Sequence, residues 1–476
     1  MIGASALHIM ADPLSLLQSL VGASVLARLP VRVLLRLRGV NKAYFEFVRA
    51  AMAARATPGF LRARRGCAYS RLVYMCGRLG VPMSAWRVVL EVADTKEGVL
   101  RRFCGSGAQA TLLMPVNPGG CPDNRRGAPA VERVAACQGA TGLIFPSDGT
   151  REDWVVLSAV SAVSLHLTSL HVSSSPGAVA LLGAGTLPPS LTELNFHGCG
   201  LLNHDLVALS RLSSLTALKL SGNRLLSGLA VVALLAALPG LTSLDLGGIP
   251  LTVDERLARA LARMPRLTTL VFADGWRRCE FEGGVTFRTL TALDAAGSYL
   301  PPWVLKDMPA LRVLRMSSGD HTTAALNDVQ LEELQYDKPE DFCGLGCGHG
   351  AEHALAIGQR PRALETVVGH QRALRRLSLR GHGSDLDLWR LIEFLPRGLT
   401  ELDLSGSSVA KHGKCSLVSD LEDFACVLEE ACPGLEKLAV SDHCWPFVLL
   451  RMPGQPRVVK SWPAQPVPVF DGLFYR

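Results

Sequence analysis

The chain has 476 residues, is 48% hydrophobic and carries a net charge of +7, which supplies ample apolar material for a core and excludes the disordered, acidic classes. Its thirteen cysteines are too sparse and too irregularly spaced for a disulfide scaffold, so an intracellular setting, cytoplasmic or nuclear, is expected. The best apolar run, 13–27, is too short to span a membrane.

The charge is uneven: residues 1–110 hold 16 Lys and Arg against 5 Asp and Glu, so the basic character is N-terminal. Residues 12–27 read as a helix, with Asp12 as N-cap and Pro13 at the first helical position. No basic leader precedes this stretch, which argues against a secretory signal. An organelle import signal stays open, because 28–78 is rich in arginine and poor in acids. Further on, Val33, Leu34 and Leu37 make one apolar stripe, Gly39 sits where a helix would end, and Val40, Tyr44, Phe47 and Val48 begin another. Three short helices within 12–50 are expected.

The spacing of Leu29, Pro30, Leu34, Leu37, Val40 and Tyr44 resembles the F-box, a helical module that docks a substrate receptor onto the adaptor of a cullin-RING ubiquitin ligase. The resemblance covers about Leu17 to Phe47 and implies that these six residues contact the adaptor. The departures are Leu17-Gln18-Ser19, where the family has Leu-Pro and an acid, and Asn41, where it has cysteine. The other reading is that the helices cap the open end of whatever follows.

Residues 49–104 are expected to continue as helix, giving an all-α module over 1–110. Their cluster Arg62, Arg64, Arg65, Arg71 and Arg78 is either a solvated face or a phosphate-tracking surface for nucleic acid. The stretch 115–130, PVNPGGCPDNRRGAPA, is a loop by composition, which places a linker and N-terminal cap over 111–150. From 131 to 163, VERVAACQGATGLIF and WVVLSAVSAV read as degenerate copies of the pattern that follows.

That pattern is L-x-x-L-x-hydrophobic. It appears as LTSLHV at 167, LTELNF at 191, LTALKL at 215, LTSLDL at 241, LTTLVF at 267 and LTALDA at 290. It continues as LRVLRM at 311, LEELQY at 331, LRRLSL at 374, LTELDL at 399 and LEKLAV at 435. The last two apolar positions alternate as on a strand and share one face, which a lone strand cannot bury. Stacked copies can, each returning over the back as helix or turn. The phrase and its period resemble the leucine-rich repeat, with Cys199 suggesting the cysteine-containing subclass. The resemblance implies an α/β fold: a solenoid with a parallel concave sheet over 151–444, preceded by the all-α N-terminal module. Insertions fall near 337–373, where LETVVG at 364 is a candidate degenerate repeat, and near 405–434. The tail 445–476, rich in Pro and aromatics, is either a C-terminal cap or a free extended recognition segment.

No catalytic constellation is present and no cofactor is expected, so the chain reads as a non-enzyme. Cys343, Cys347, His349 and His353 are zinc-ligand types, but one residue between the pairs leaves too little chain to surround an ion, and no metal is expected. Residues between the strand leucines face the concave side: His171, Asn195, Lys219, Asp245, Asp294, Arg315, Gln335 and Asp403, with His197 and Arg380 two positions on. These are the expected partner-binding residues. The function expected is protein recognition, as an F-box-type substrate receptor or as a structural or assembly scaffold, the latter associated with a ribonucleoprotein through the basic N-terminal third.

Overall fold

The computed structural model describes residues 59–63, 86–92, 97–105, 109–114, 127–145 apart from 136 and 138, 158–200 apart from 162 and 176, 201–273, 276–279, 284–298, 302–317, 326, 329–337, 368–381, 388–405, 424, 426–442, 445–450 and 458–461. The chain divides into two compact units, 1–200 and 201–476.

In the first unit, six strands pair in parallel and in chain order: β1 Gly59–Ala63, β2 Trp86–Glu91, β3 Gln109–Leu113, β4 Gly142–Phe145, β5 Ser169–Val172 and β6 Glu193–Asn195. Helices α1 Glu97–Cys104, α2 Gly127–Ala135 and α3 Gly177–Ala184 lie between them in sequence. The helical expectation for 49–104 therefore fails at β1 and β2. WRVVLE is a short apolar run, which suits a strand buried on both faces as well as a helix, and its β-branched pair favours the strand. The expected linker at 111–150 contains α2 and β4, so the repeating architecture starts well before the first clear leucine frame. The proposed F-box helices lie outside the described residues.

In the second unit, β7 Ala217–Lys219, β8 Ser243–Asp245, β10 Thr269–Val271, β12 Ala292–Ala295, β13 Val313–Ser317, β14 Glu333–Asp337, β15 Arg376–Ser378, β16 Glu401–Ser405 and β17 Lys437–Asp442 form a parallel ladder. Leu218, Leu244, Leu270, Leu293, Leu314, Leu334, Leu377, Leu402 and Leu438 face one another across successive strands, and all are buried. Each contributes roughly 1.5–3 kcal/mol by burial. Helices α4 Asp205–Leu209, α5 Gly228–Ala237, α6 Glu255–Ala262, α7 Pro302–Lys306 and α8 Leu388–Ile392 occupy the returns. A side pair, β9 Leu251–Val253 and β11 Trp276–Cys279, is also parallel. The repeating strand-and-return ladder fits the fold that the leucine-rich-repeat resemblance implies.

Three recurring devices hold the register. The threonine of the Leu-Thr phrase donates its hydroxyl to the carbonyl at the same position of the preceding repeat: Thr168 to Thr141 at 3.1 Å, Thr242 to Thr216 at 2.9 Å, Thr268 to Thr242 at 3.1 Å and Thr291 to Thr268 at 3.1 Å. After five of the strands the chain turns through the left-handed region, at Gly198 (φ 63°), Gly222 (φ 76°), Gly248 (φ 65°), Gly297 (φ 69°) and Gly381 (φ 75°), a conformation that costs glycine nothing. At three of these turns a buried donor one residue later closes the turn. Cys199 Sγ reaches the Val172 carbonyl at 3.1 Å and Ser298 Oγ the Phe272 carbonyl at 2.8 Å. Asn223 Nδ2 donates to Leu220 at 2.7 Å while its Oδ1 accepts the Leu201 N–H at 3.0 Å. Cysteine is thus one of three residue types filling a shared role.

Both interruptions are looped out of the ladder. β14 pairs directly with β15, and β16 with β17, so LETVVG contributes no strand between them. Residues 426–431 in the second interruption are helical, as SDLEDFACVLEEAC suggests. The C-terminal tail enters the sheet: β18 Trp445–Leu450 runs antiparallel to β17, and β19 Val458–Ser461 antiparallel to β18. The direction of pairing reverses there and ends the parallel series.

Candidate functional site

In the first unit His171, Asn195 and His197 belong to adjacent strands and their exit turn. Asn195 Oδ1 accepts the His197 N–H at 3.0 Å, an Asx-type closure of that turn. Ser169 Oγ sits 3.2 Å from His171 Nε2 and donates to Glu193 Oε2 at 3.0 Å. The hydroxyl therefore stands between imidazole and carboxylate. Nucleophilic relay needs the imidazole between the other two, so this arrangement fastens β5 to β6. Two buried thiols of this unit, Cys104 and Cys137, hydrogen-bond to each other. That contact and burial push Cys104 up, while it draws Cys137 down.

In the second unit the expected residues form an in-register row, and several of them are occupied in holding the backbone. Oδ1 of Asp245, Asp294 and Asp403 accepts the N–H two residues on, from Gly247 at 3.0 Å, Ala296 at 3.1 Å and Ser405 at 3.0 Å. This repeats the Asn195 closure. The second oxygen then takes a side chain: Ser221 Oγ on Asp245 at 3.0 Å, Arg315 on Asp294 at 3.4 Å, and Arg380 Nε and Nη2 on Asp403, both at 2.7 Å. Asp294 and Asp403 are only 2% and 0% exposed. Their oxygens are held by bonds within the chain, and they shape the face through those bonds. Lys219 is half-buried in the same row.

The strongest cluster lies on β14 to β17. Gln335 donates to Asp337, whose other oxygen accepts Ser378 Oγ at 2.7 Å and the Arg380 N–H at 3.0 Å. On the strand-entry side, Arg376 bonds Glu333 at 2.7 Å and Glu401 at 3.2 Å, and Lys437 reaches Glu401 at 3.9 Å. Burial pushes the Glu333 carboxyl up, against the pull of Arg376 and with repulsion from Glu401 and Glu332 adding to it. Sequence reasoning chose the position between the leucines and the one two residues on. It missed Glu333, Arg376, Glu401 and Lys437, two residues before, which the period of two places on the same face.

The face is therefore polar, pre-paired and built largely from small side chains. Charged groups that have already exchanged water for protein partners supply fixed hydrogen-bond direction more than net attraction. The six F-box residues and Cys343, Cys347, His349 and His353 lie outside the described residues. Among the described residues, no cluster of metal-ligand side chains is present and no helix is long and apolar enough to cross a membrane.

No family model matches the chain, and no curated protein matches it. Among solved structures it is similar to the leucine-rich repeat-containing protein LegL7 from Legionella pneumophila, with 17% identity, a TM-score of 0.32, and coverage of 57% of this chain and 89% of that one. It is also similar to a chain of the Toll–Spätzle complex of Drosophila, with 13% identity and a TM-score of 0.32. That match covers 74% of this chain and 40% of the other.

Proposed function

We propose that the chain is a non-catalytic protein-recognition solenoid that binds a folded partner or extended segment on the face of its parallel ladder. The observation that carries this reading is the in-register row from Asp245 to Asp403, whose polar groups are fixed in place by backbone and ion-pair bonds. A surface with its hydrogen-bond directions set before binding loses little side-chain entropy on binding. The small residues Gly247, Ala273 and Ala296 beside that row let a partner's backbone approach closely.

The sharper form rests on sequence spacing alone. Leu29, Pro30, Leu34, Leu37, Val40 and Tyr44 dock a cullin-RING adaptor, and the ladder selects the substrate. The test is affinity capture of the full chain, and of a version lacking residues 1–50, at about 300 mM salt, where exposed charge contacts are strongly screened. A cullin and its adaptor recovered with the full chain and lost with the truncation are the expected result. Their absence from a well-expressed, folded full chain rules out the ligase form. Recovery of ribonucleoprotein components instead supports the assembly-scaffold alternative.

A further inference from the structure

The strand-entry edge of the second unit's sheet carries a row of exposed basic residues among the described residues. In a parallel, in-register ladder every strand entry lies at one edge and every exit at the other. The entry turns at 263–268, 286–291, 306–312, 329–332, 370–375, 393–400 and 431–436 carry eight Lys or Arg, seven of them Arg, against the carboxylates Asp307, Glu332, Glu393 and Glu436. Among the described residues, the exit segments 221–227, 247–254, 276–279, 296–298 and 379–381 carry Arg224, Arg277, Arg278 and Arg380 against Asp254, and Arg380 is already bonded to Asp403. All eight basic residues of the entry edge are exposed. Arg312 reaches Glu332 at 4.0 Å, the outer limit of an ion pair. Arg266, Arg288, Arg372, Arg375 and Arg397 have no carboxylate within that distance among the described residues.

An open cleft of about 320 Å³ sits on this edge, lined by Arg372, Arg375, Glu332, Gly398 and Thr400. A Cβ added at Gly398 would meet nothing within 4 Å, so the cleft is open at that point of its wall. Six strands about 4.8 Å apart spread the arginines over about 24 Å. The guanidinium fork matches phosphate oxygens bidentately, which lysine cannot do.

We infer that this entry edge binds the phosphodiester backbone of single-stranded nucleic acid, with the Arg372–Arg375 cleft as one phosphate seat. The exposed large apolar residues, Leu165, Leu202, Val207, Leu225, Leu229 and Val427, all lie outside the entry turns. A specific protein interface needs a desolvated apolar centre, and a membrane-lying surface needs apolar side chains to insert. The entry turns supply neither. Sequence-independent phosphate binding needs only charge at a regular spacing, and these turns expose no Phe, Tyr or Trp on which successive bases would stack.

The experiment is fluorescence anisotropy of a labelled uridine homopolymer with the full chain, repeated over a salt series. Vesicles containing phosphatidylserine and polyglutamate are run as separate probes. The Arg372→Glu/Arg375→Glu variant is expected to bind the RNA at least tenfold more weakly. Its log–log salt slope should be shallower by about 1.4, from two phosphates at about 0.7 each. Arg224→Glu on the other edge should change affinity less than twofold, and unchanged thermal melting certifies the fold of both variants. If the double variant binds like the wild type, the basic segment 1–110 is the binder and the inference falls. It falls equally if Arg224→Glu weakens binding as much, if the RNA does not bind at low salt, or if vesicles or polyglutamate bind more tightly than RNA.

Discussion

Asp403 uses its two oxygens for separate tasks: Oδ1 closes the strand-exit turn on the Ser405 N–H, and Oδ2 takes the Arg380 guanidinium. Asp403→Ala removes both and leaves a partly buried arginine unpaired, so a loss of about 3 kcal/mol is expected. Asp403→Asn keeps the turn closure and should lose roughly half as much; urea unfolding midpoints distinguish them, and equal losses would mean that the turn carries the whole effect. Glu333 gives a pH test. Its carboxyl is raised from an ordinary value of 4.5 by burial, so between that value and the raised one the folded chain binds more proton than the unfolded chain does. Stability from this group is complete below pH 4.5 and is lost as pH rises through the raised value. Glu333→Gln should therefore lose less stability than the wild type between pH 4 and pH 7, and an equal loss would show that Arg376 fully offsets the burial. Sequence reasoning places Asp403 in the row between the strand leucines, and the structure adds the bonds that hold its two oxygens. Polarity at an x position is visible in a sequence, whereas the hydrogen bond that consumes it depends on the left-handed turn two residues later.

The 43-residue spacing between frames 331 and 374 is the element-scale problem, because β14 must pair with β15 across a long excursion. Gln371, fully buried, solves it. Its Nε2 donates to the Leu326 and Val329 carbonyls at 2.6 and 2.9 Å, and its Oε1 accepts the Leu331 N–H at 2.8 Å. Gln371→Ala strands three backbone groups in the interior, with an expected cost of about 3 kcal/mol, measurable as a drop in the thermal midpoint. A loss no larger than that of a surface substitution would mean that water replaces the amide. A local comparison is Asp254, whose Oδ1 caps α6 by accepting the Leu257 N–H at 2.8 Å; Asp254→Ala should cost about 1 kcal/mol. The ladder was legible because its leucines recur with a fixed phrase and alternate with period two. The Gln371 bridge was not, since nothing local separates a buried bridging amide from a solvated one. The early strands β1 and β2 were misread as helix for a related reason: segments as short as GFLRA and WRVVLE carry no clear period, and what decides their state is the neighbouring strand.

At the scale of the whole molecule the two proposed surfaces respond differently to salt. On the ladder face Arg315, Arg376 and Arg380 already hold carboxylates of this chain, so few counterions remain for a partner to release. Retention of a protein partner there should change less than twofold between about 100 and 300 mM salt, because the contact rests on hydrogen-bond direction and close approach. The entry edge is the opposite case. Its arginines stand exposed, and each phosphate they neutralise releases condensed counterions. With about four phosphates engaged, the same threefold rise in salt should weaken RNA binding about twentyfold. One capture series on the full chain, read for both protein and RNA across that range, tests the pair together. Proteins that persist while RNA washes away support two independent surfaces. Loss of both in parallel would mean that the proteins were recovered through the RNA, and the ladder face would no longer be needed to explain what the chain binds.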